Sequence, residues 1–95
     1  MRHSQLRAFH FVAIYGSFSV AAERLKISQP AVSEQVKKLE QNYDTLLIRR
    51  QNKKITLTDE GKKILLLTKQ LFEVEQQIED YISESGQEWR LMNIM

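Results

Sequence analysis

Three observations predict a mainly α fold: a winged helix-turn-helix, with three helices and a two-stranded wing, followed by a long linker and dimerisation helix. Residues 20–42 read as two helices joined by the short turn "KIS", and Ala21 and Ala22 on the first allow close helix approach. "TLLIRR" and "KKITLT" are short β-prone runs on either side of "QN". Further on, Ile64, Leu67, Leu71, Val74, Ile78 and Tyr81 recur at alternating steps of three and four, the spacing of a helical seam.

The elements follow in order. Ser4 is placed to cap a first helix that runs to about Tyr15, with Leu6, Phe9, Val12 and Ala13 on one face. "YGSFS" ends it, because Gly16 suits a helix C-terminus, and Ser17 or Ser19 can cap a short second helix from about Val20 to Leu25. Ser28 caps a third helix from Gln29 to about Asn42. Pro30 supports that start, since the first helical N–H groups have no intrahelical partner to lose. Its inward face is Val32, Val36 and Leu39, and its outer face is polar. Between the two strands Asn52 can take the left-handed turn conformation.

From Thr58, a cap followed by Asp59 and Glu60 in a positively polarised first turn, a long helix is expected to about Glu84, on the order of 40 Å. Leu65 and Phe72 form a second stripe beside the seam. One stripe packs on the helix's own head and the other meets a second chain, or both finish a single core; a helix this long favours pairing, because it would otherwise leave apolar side chains wet. The expected division is a winged helix-turn-helix head over 1–57, a linker helix over 58–85 and a tail over 86–95, with Gly86 as the stop.

Composition narrows the function. The chain has 42% hydrophobic and 27% charged residues, ordinary for a globular domain. It has no cysteine, which removes disulfides and thiolate metal sites and fits a cytoplasmic location. Its longest apolar run is five residues, and "MRHSQLRAFHF" lacks the apolar core of a secretion signal, so neither a membrane span nor export is expected. The net charge of +2 hides an asymmetry: residues 1–57 carry ten Lys/Arg against four acids, and residues 58–95 carry four against eight. A basic head on an acidic helix points to a polyanionic partner for the head. His3 and His10 fall seven apart with no further His, Cys or placed acid, so they read as surface or core-edge residues and no metal or cofactor is expected. Two histidines, no cysteine and no phosphate-binding glycine loop leave no visible catalytic set, and an enzyme is set aside.

The segments "QLRAF", "GSFSVAAERLKISQPAVSEQVKKLE" and "ITLTDEG", all in register, resemble the N-terminal domain of LysR-type transcriptional regulators over roughly residues 3–85. The resemblance implies a third helix that enters the DNA major groove and a linker helix that pairs two subunits, with higher oligomers open. It also implies an effector-binding domain beginning near residues 86–95, so no small-molecule inducer site is expected within this chain. Gln29 matches the family's base-contacting glutamine, whose amide can pair with adenine N6 and N7. Pro30 matches an apolar contact near a base or sugar, and Ser33 lies one turn on, toward phosphate or base edges. Ser19 and Ser28 lie at helix N-termini that favour phosphate oxygens, although capping alone explains them too. Lys37 extends that face to the backbone. Arg50 closes the first wing strand as a phosphate contact or a salt-bridge partner. Lys53 and Lys54 stand at the wing tip, reaching the minor groove or merely solvated.

The sequence departs from the family at Asp44 and Asn52, where glycine is usual, and at Leu47–Ile48, which replace a leucine-phenylalanine pair. The sharpest departure is Glu34, where a basic residue is usual. A carboxylate there repels phosphate but can accept a hydrogen bond from cytosine N4; alternatively it pairs with Lys37 or Lys38 along the helix. An acid at this position, Tyr43 and "LRAFHFVA" are also similar to the phosphonate-associated branch of the family. Two functions remain: sequence-specific binding of double-stranded DNA by a dimeric transcriptional regulator, or a dimerising adaptor or antagonist that pairs with a full-length relative.

Overall fold

In the computed structural model, which describes residues 1–93, helix α1 (His3–Tyr15) begins before Ser4, so Ser4 lies inside the first turn and does not cap it. The start is closed instead by Gln5, whose side-chain carbonyl accepts the Arg2 backbone N–H at 3.4 Å. At the other end Gly16 adopts φ 62°, and its N–H bonds the Val12 carbonyl at 2.8 Å. A left-handed residue suits glycine, which has no Cβ to clash there.

Helix α2 (Phe18–Leu25) starts two residues before the expected Val20. Ser17 is therefore the cap, accepting the Val20 N–H at 3.1 Å, and Ser19 sits in the first turn. Lys26 is left-handed at φ 59° and closes α2 with a pair of bonds, Ile27 N–H to Ala22 and Lys26 N–H to Glu23. Helix α3 (Gln29–Asn42) has the bounds the sequence implies, with Ser28 accepting the Ala31 N–H at 3.2 Å.

Strands β1 (Ile48–Gln51) and β2 (Lys54–Leu57) pair antiparallel, Ile48 opposite Leu57 and Gln51 opposite Lys54. The turn between them is Asn52–Lys53, with φ 51° and 63°, and Gln51 belongs to the strand. Two consecutive left-handed residues match the right-handed twist of a tight hairpin. Asp44 is also left-handed, at φ 48°, as its place after the third helix requires.

Helix α4 (Asp59–Asn93) is one element of 35 residues, about 50 Å long. It does not stop at Gly86 as expected. A lone interior glycine costs only about 1 kcal/mol against alanine, and no proline follows it to enforce a break. Thr58 caps α4, its Oγ1 accepting the Gly61 N–H at 3.0 Å while donating to the Leu46 carbonyl at 2.6 Å.

The core lies where α1, α2 and α3 meet the base of the wing. Phe9, Val12, Ala21 and Val32 are fully buried, Val36, Leu39, Leu47 and Ile48 nearly so, and Ile55, Leu57, Ile64 and Leu65 pack against them. Glu40, near the end of α3, accepts the Leu47 and Ile48 N–H groups at 2.8 and 3.2 Å, holding the entrance of β1 against the helix. The wing and α3 thus share one base.

Candidate nucleic-acid interface

Ser19, Gln29, Arg50, Lys53 and Lys54 line one cleft of about 260 Å³, together with Gly16, Ser17, Phe18 and Ile55. The first turn of α2, the first residue of α3 and the wing supply it. Because α2 and α3 both present N-terminal turns here, free N–H groups and the positive ends of two helix dipoles add to three cationic side chains.

Arg50 organises the cleft. Its guanidinium lies 3.8 Å over the Phe18 ring centre and donates from Nη2 to Ser33 Oγ at 3.0 Å. No acidic side chain pairs with it among the described residues, so of its two expected roles the salt bridge is not formed. Ser33, expected to face DNA alone, is half-buried and engaged with Arg50. Phe18 is the residue the sequence reading missed. In the sequence it falls within the helix break "YGSFS", and its partner lies 32 positions away.

Ser28, Pro30, Glu34 and Lys37 are exposed on α3 outside that cleft. Glu34 Oε1 lies 3.3 Å from Lys38 Nζ, one helical turn on, so the carboxylate is paired along its own helix. Arg2 and Lys38 line a separate polar hollow between α1 and α3 with Ser4, Gln5, Gln35 and Asn42.

The second candidate surface is α4. Leu67, Leu71, Val74, Ile78 and Tyr81 are exposed, with Leu67 at 59% and Tyr81 at 72%. Ile64 departs from the expected seam, since it is half-buried against the head's core. The neighbouring stripe packs on α1. The Phe72 ring stands 4.8 Å from His10 and 5.4 Å from His3, Thr68 Oγ1 lies 2.8 Å from His10 Nδ1, and Glu75 pairs with His3. Burial, reinforced by the Lys69 charge, holds the His10 imidazole below its usual value. No helix among the described residues is long and apolar enough to cross a membrane.

Known proteins resemble this chain in sequence and in fold. The chain is 51% identical over 61 residues, 64% of its length, to a probable RuBisCO transcriptional regulator of Phaeodactylum tricornutum, of which that covers 20%. It is 43% identical over 67 residues, 70% of its length, to the glycine cleavage system transcriptional activator of Escherichia coli K12, of which that covers 22%. The match thus spans about a fifth of the length of these relatives. Among solved structures, the BenM DNA-binding domain in complex with catB site 1 DNA superposes with a TM-score of 0.82 at 28% identity, over 90% of this chain and 97% of that one. Full-length OxyR C199D of Pseudomonas aeruginosa gives 0.79 at 32% identity, over 88% of this chain and 28% of that one. Residues 3–62 match the family described as "Bacterial regulatory helix-turn-helix protein, lysR family". The chain belongs to the LysR family, and its three-helix, two-stranded head is a helix-turn-helix DNA-binding domain of that family.

Proposed function

We propose that this chain is the DNA-reading and pairing part of a cytoplasmic transcriptional regulator that binds a specific double-stranded sequence as a homodimer. The head over residues 1–57 sets α3 in the major groove, with Gln29 and Pro30 at base edges and Lys37 on the flanking backbone. Ser19 and Ser28 hold phosphates at the two helix starts, and Lys53 and Lys54 reach backbone or minor groove from the wing. The dimer forms through the exposed face of α4 at Leu67, Leu71, Val74, Ile78 and Tyr81.

One observation carries this reading most: the wing cations and the start of α3 line the same cleft, so a duplex seated on α3 meets Arg50, Lys53 and Lys54 as well. The solved DNA complex of the similar BenM domain supports it. Titration of duplex DNA at several salt concentrations tests it. Replacing Lys53 or Lys54 with alanine should weaken binding to all sequences and lower the salt slope by about one each, whereas Gln29→Ala should chiefly change which base is preferred. Sedimentation of Leu71→Asp tests pairing: it should be monomeric where the wild type is a dimer. Salt-independent or absent DNA binding by a folded dimer would instead point to the adaptor reading.

A further inference from the structure

Helix α3 has two flanks beside the face that it turns outward, and the wing adjoins only one of them. At about 100° per residue, Pro30, Glu34, Lys37 and Gln41 fall within one arc of about 60°, the outer face. Ser33, which accepts the Arg50 proton, borders that arc on the wing side. Lys38, Asn42 and Gln35 border it on the other, about 140–200° round from Ser33. There α3 and the start of α1 enclose the polar hollow of about 370 Å³ lined by Arg2, Ser4, Gln5, Gln35, Lys38 and Asn42. We infer that this hollow seats a backbone phosphate of double-stranded DNA, on the strand opposite the one that meets Arg50; the inference rests on the reading that α3 enters the major groove.

Groove geometry carries the argument. The major groove is about 12 Å wide and is walled by one sugar-phosphate backbone on each side. A helix with side chains is about 10–12 Å across, so one lying in the groove comes close to both walls. The cleft that holds Arg50, Lys53 and Lys54 serves the wall on the wing side. The hollow sets Arg2 and Lys38 beside the other wall. Its chemistry suits phosphate oxygens: two exposed cations, the Ser4 hydroxyl and the Gln35 and Asn42 amides, with no acidic residue among those lining it.

The fold also places these groups. Ser4 Oγ donates to Gln35 Oε1 at 3.5 Å, bridging α1 and α3 across the hollow. The Arg2 N–H bonds the buried Gln5 side chain at 3.4 Å, which fixes where the Arg2 side chain leaves the chain, and Arg2 forms no ion pair among the described residues. Lys38 is restrained. Glu34 stands where the outer face meets the hollow, and its Oε1 lies 3.3 Å from Lys38 Nζ. Lys38 must exchange a carboxylate for a phosphate oxygen, so Glu34 weakens that contact without touching a base.

Titration of one duplex at several salt concentrations tests the seat. Arg2→Ala should lower the salt slope as much as Lys53→Ala does, by about one, and weaken binding to all sequences alike. Glu34→Gln should raise affinity, and adding Lys38→Ala should cancel the rise. Both cations are exposed, so the variants should keep the wild-type unfolding midpoint. Single neutral methylphosphonates in a duplex enriched by the chain then locate the contact. The substitution that weakens wild type but not Arg2→Ala should fall on the strand opposite the one whose substitution is silent in Arg50→Ala. An unchanged slope in Arg2→Ala, a Glu34→Gln gain that survives Lys38→Ala, or both contacts on one strand would overturn the seat and leave DNA binding intact. A wild type with no salt-dependent binding would overturn both.

Discussion

The Arg50 guanidinium is held in place before any ligand arrives: Phe18 lies 3.8 Å beneath it and Ser33 Oγ accepts its Nη2 proton at 3.0 Å. One side chain thereby joins the wing to the starts of both helices of the helix-turn-helix. A solvent-exposed cation stacked on an aromatic face is worth about 0.5–1 kcal/mol, so Arg50→Ala should cost about that much in denaturant unfolding. Its larger effect should be on DNA, weakening binding to all sequences alike. Arg50→Lys should recover the salt slope but not the full affinity, because an ammonium keeps the charge and loses the planar fork. Equal affinity for Arg50→Lys and wild type would show that charge alone matters there.

Glu34 and Lys38 form an exposed pair one helical turn apart. Such pairs contribute a few tenths of a kcal/mol, so Glu34→Gln should leave the unfolding midpoint nearly unchanged. With the carboxylate gone and Lys38 free, affinity for any duplex should rise, most at low salt, with base preference unchanged. Loss of a cytosine preference in Glu34→Gln would mean that the carboxylate leaves Lys38 to read a base.

Gly61 and Gly86 lie in the same helix and should respond oppositely to alanine. A Cβ on Gly61 would stand 2.2 Å from the Leu47 carbonyl oxygen, so the first turn of α4 must move off the wing base. Overpacking of this kind costs roughly 1–3 kcal/mol, read as a lower unfolding midpoint. Gly86 meets nothing within 4 Å, and Gly86→Ala should raise α4 helicity by circular dichroism, with about 1 kcal/mol of propensity gained.

His10 makes the joint between α1 and α4 sensitive to acid. The unfolded chain titrates this imidazole near 6.5, whereas burial, and then the Lys69 charge, lower its value in the fold. Between the two values the unfolded state binds more protons, so stability falls as pH drops through that window and is fully present above it. Protonation also sets a charge beside Phe72 and Lys69 in the contact that already holds Thr68, His3 and Glu75. Unfolding midpoints measured from pH 8 down to pH 5 should fall more steeply for the wild type than for His10→Gln. Parallel curves would remove His10 from the acid limb.

Short-range chemistry was legible in the sequence, and contacts between distant residues were not. Ser28 and Pro30 mark the start of α3 because capping and a missing N–H act within four positions, and Asn52 marks the wing turn because its φ preference is its own. Ser17 and Ser19 are equally good caps, and only the packing of Phe18 into the core selects Ser17. Gly86 resembles a stop, yet without a proline or a new cap beyond it the helix continues. Ser19, Gln29, Arg50, Lys53 and Lys54 of the expected interface meet in one cleft, while Ser28, Pro30, Glu34 and Lys37 stay outside it, and the arrangement that positions Arg50 needs Phe18 and Ser33, 32 and 17 residues away. Glu40 was legible as part of a motif; its grip on the β1 entrance appears only once α3 and the wing share a base.

Selection of bound duplexes from a randomised DNA pool by the purified 95-residue chain, at low and near-physiological salt, tests the central claim most directly. The account predicts enrichment of a two-fold motif at both salt concentrations, with Gln29→Ala relaxing one position in each half-site. Only salt-sensitive retention with no enriched sequence would contradict it.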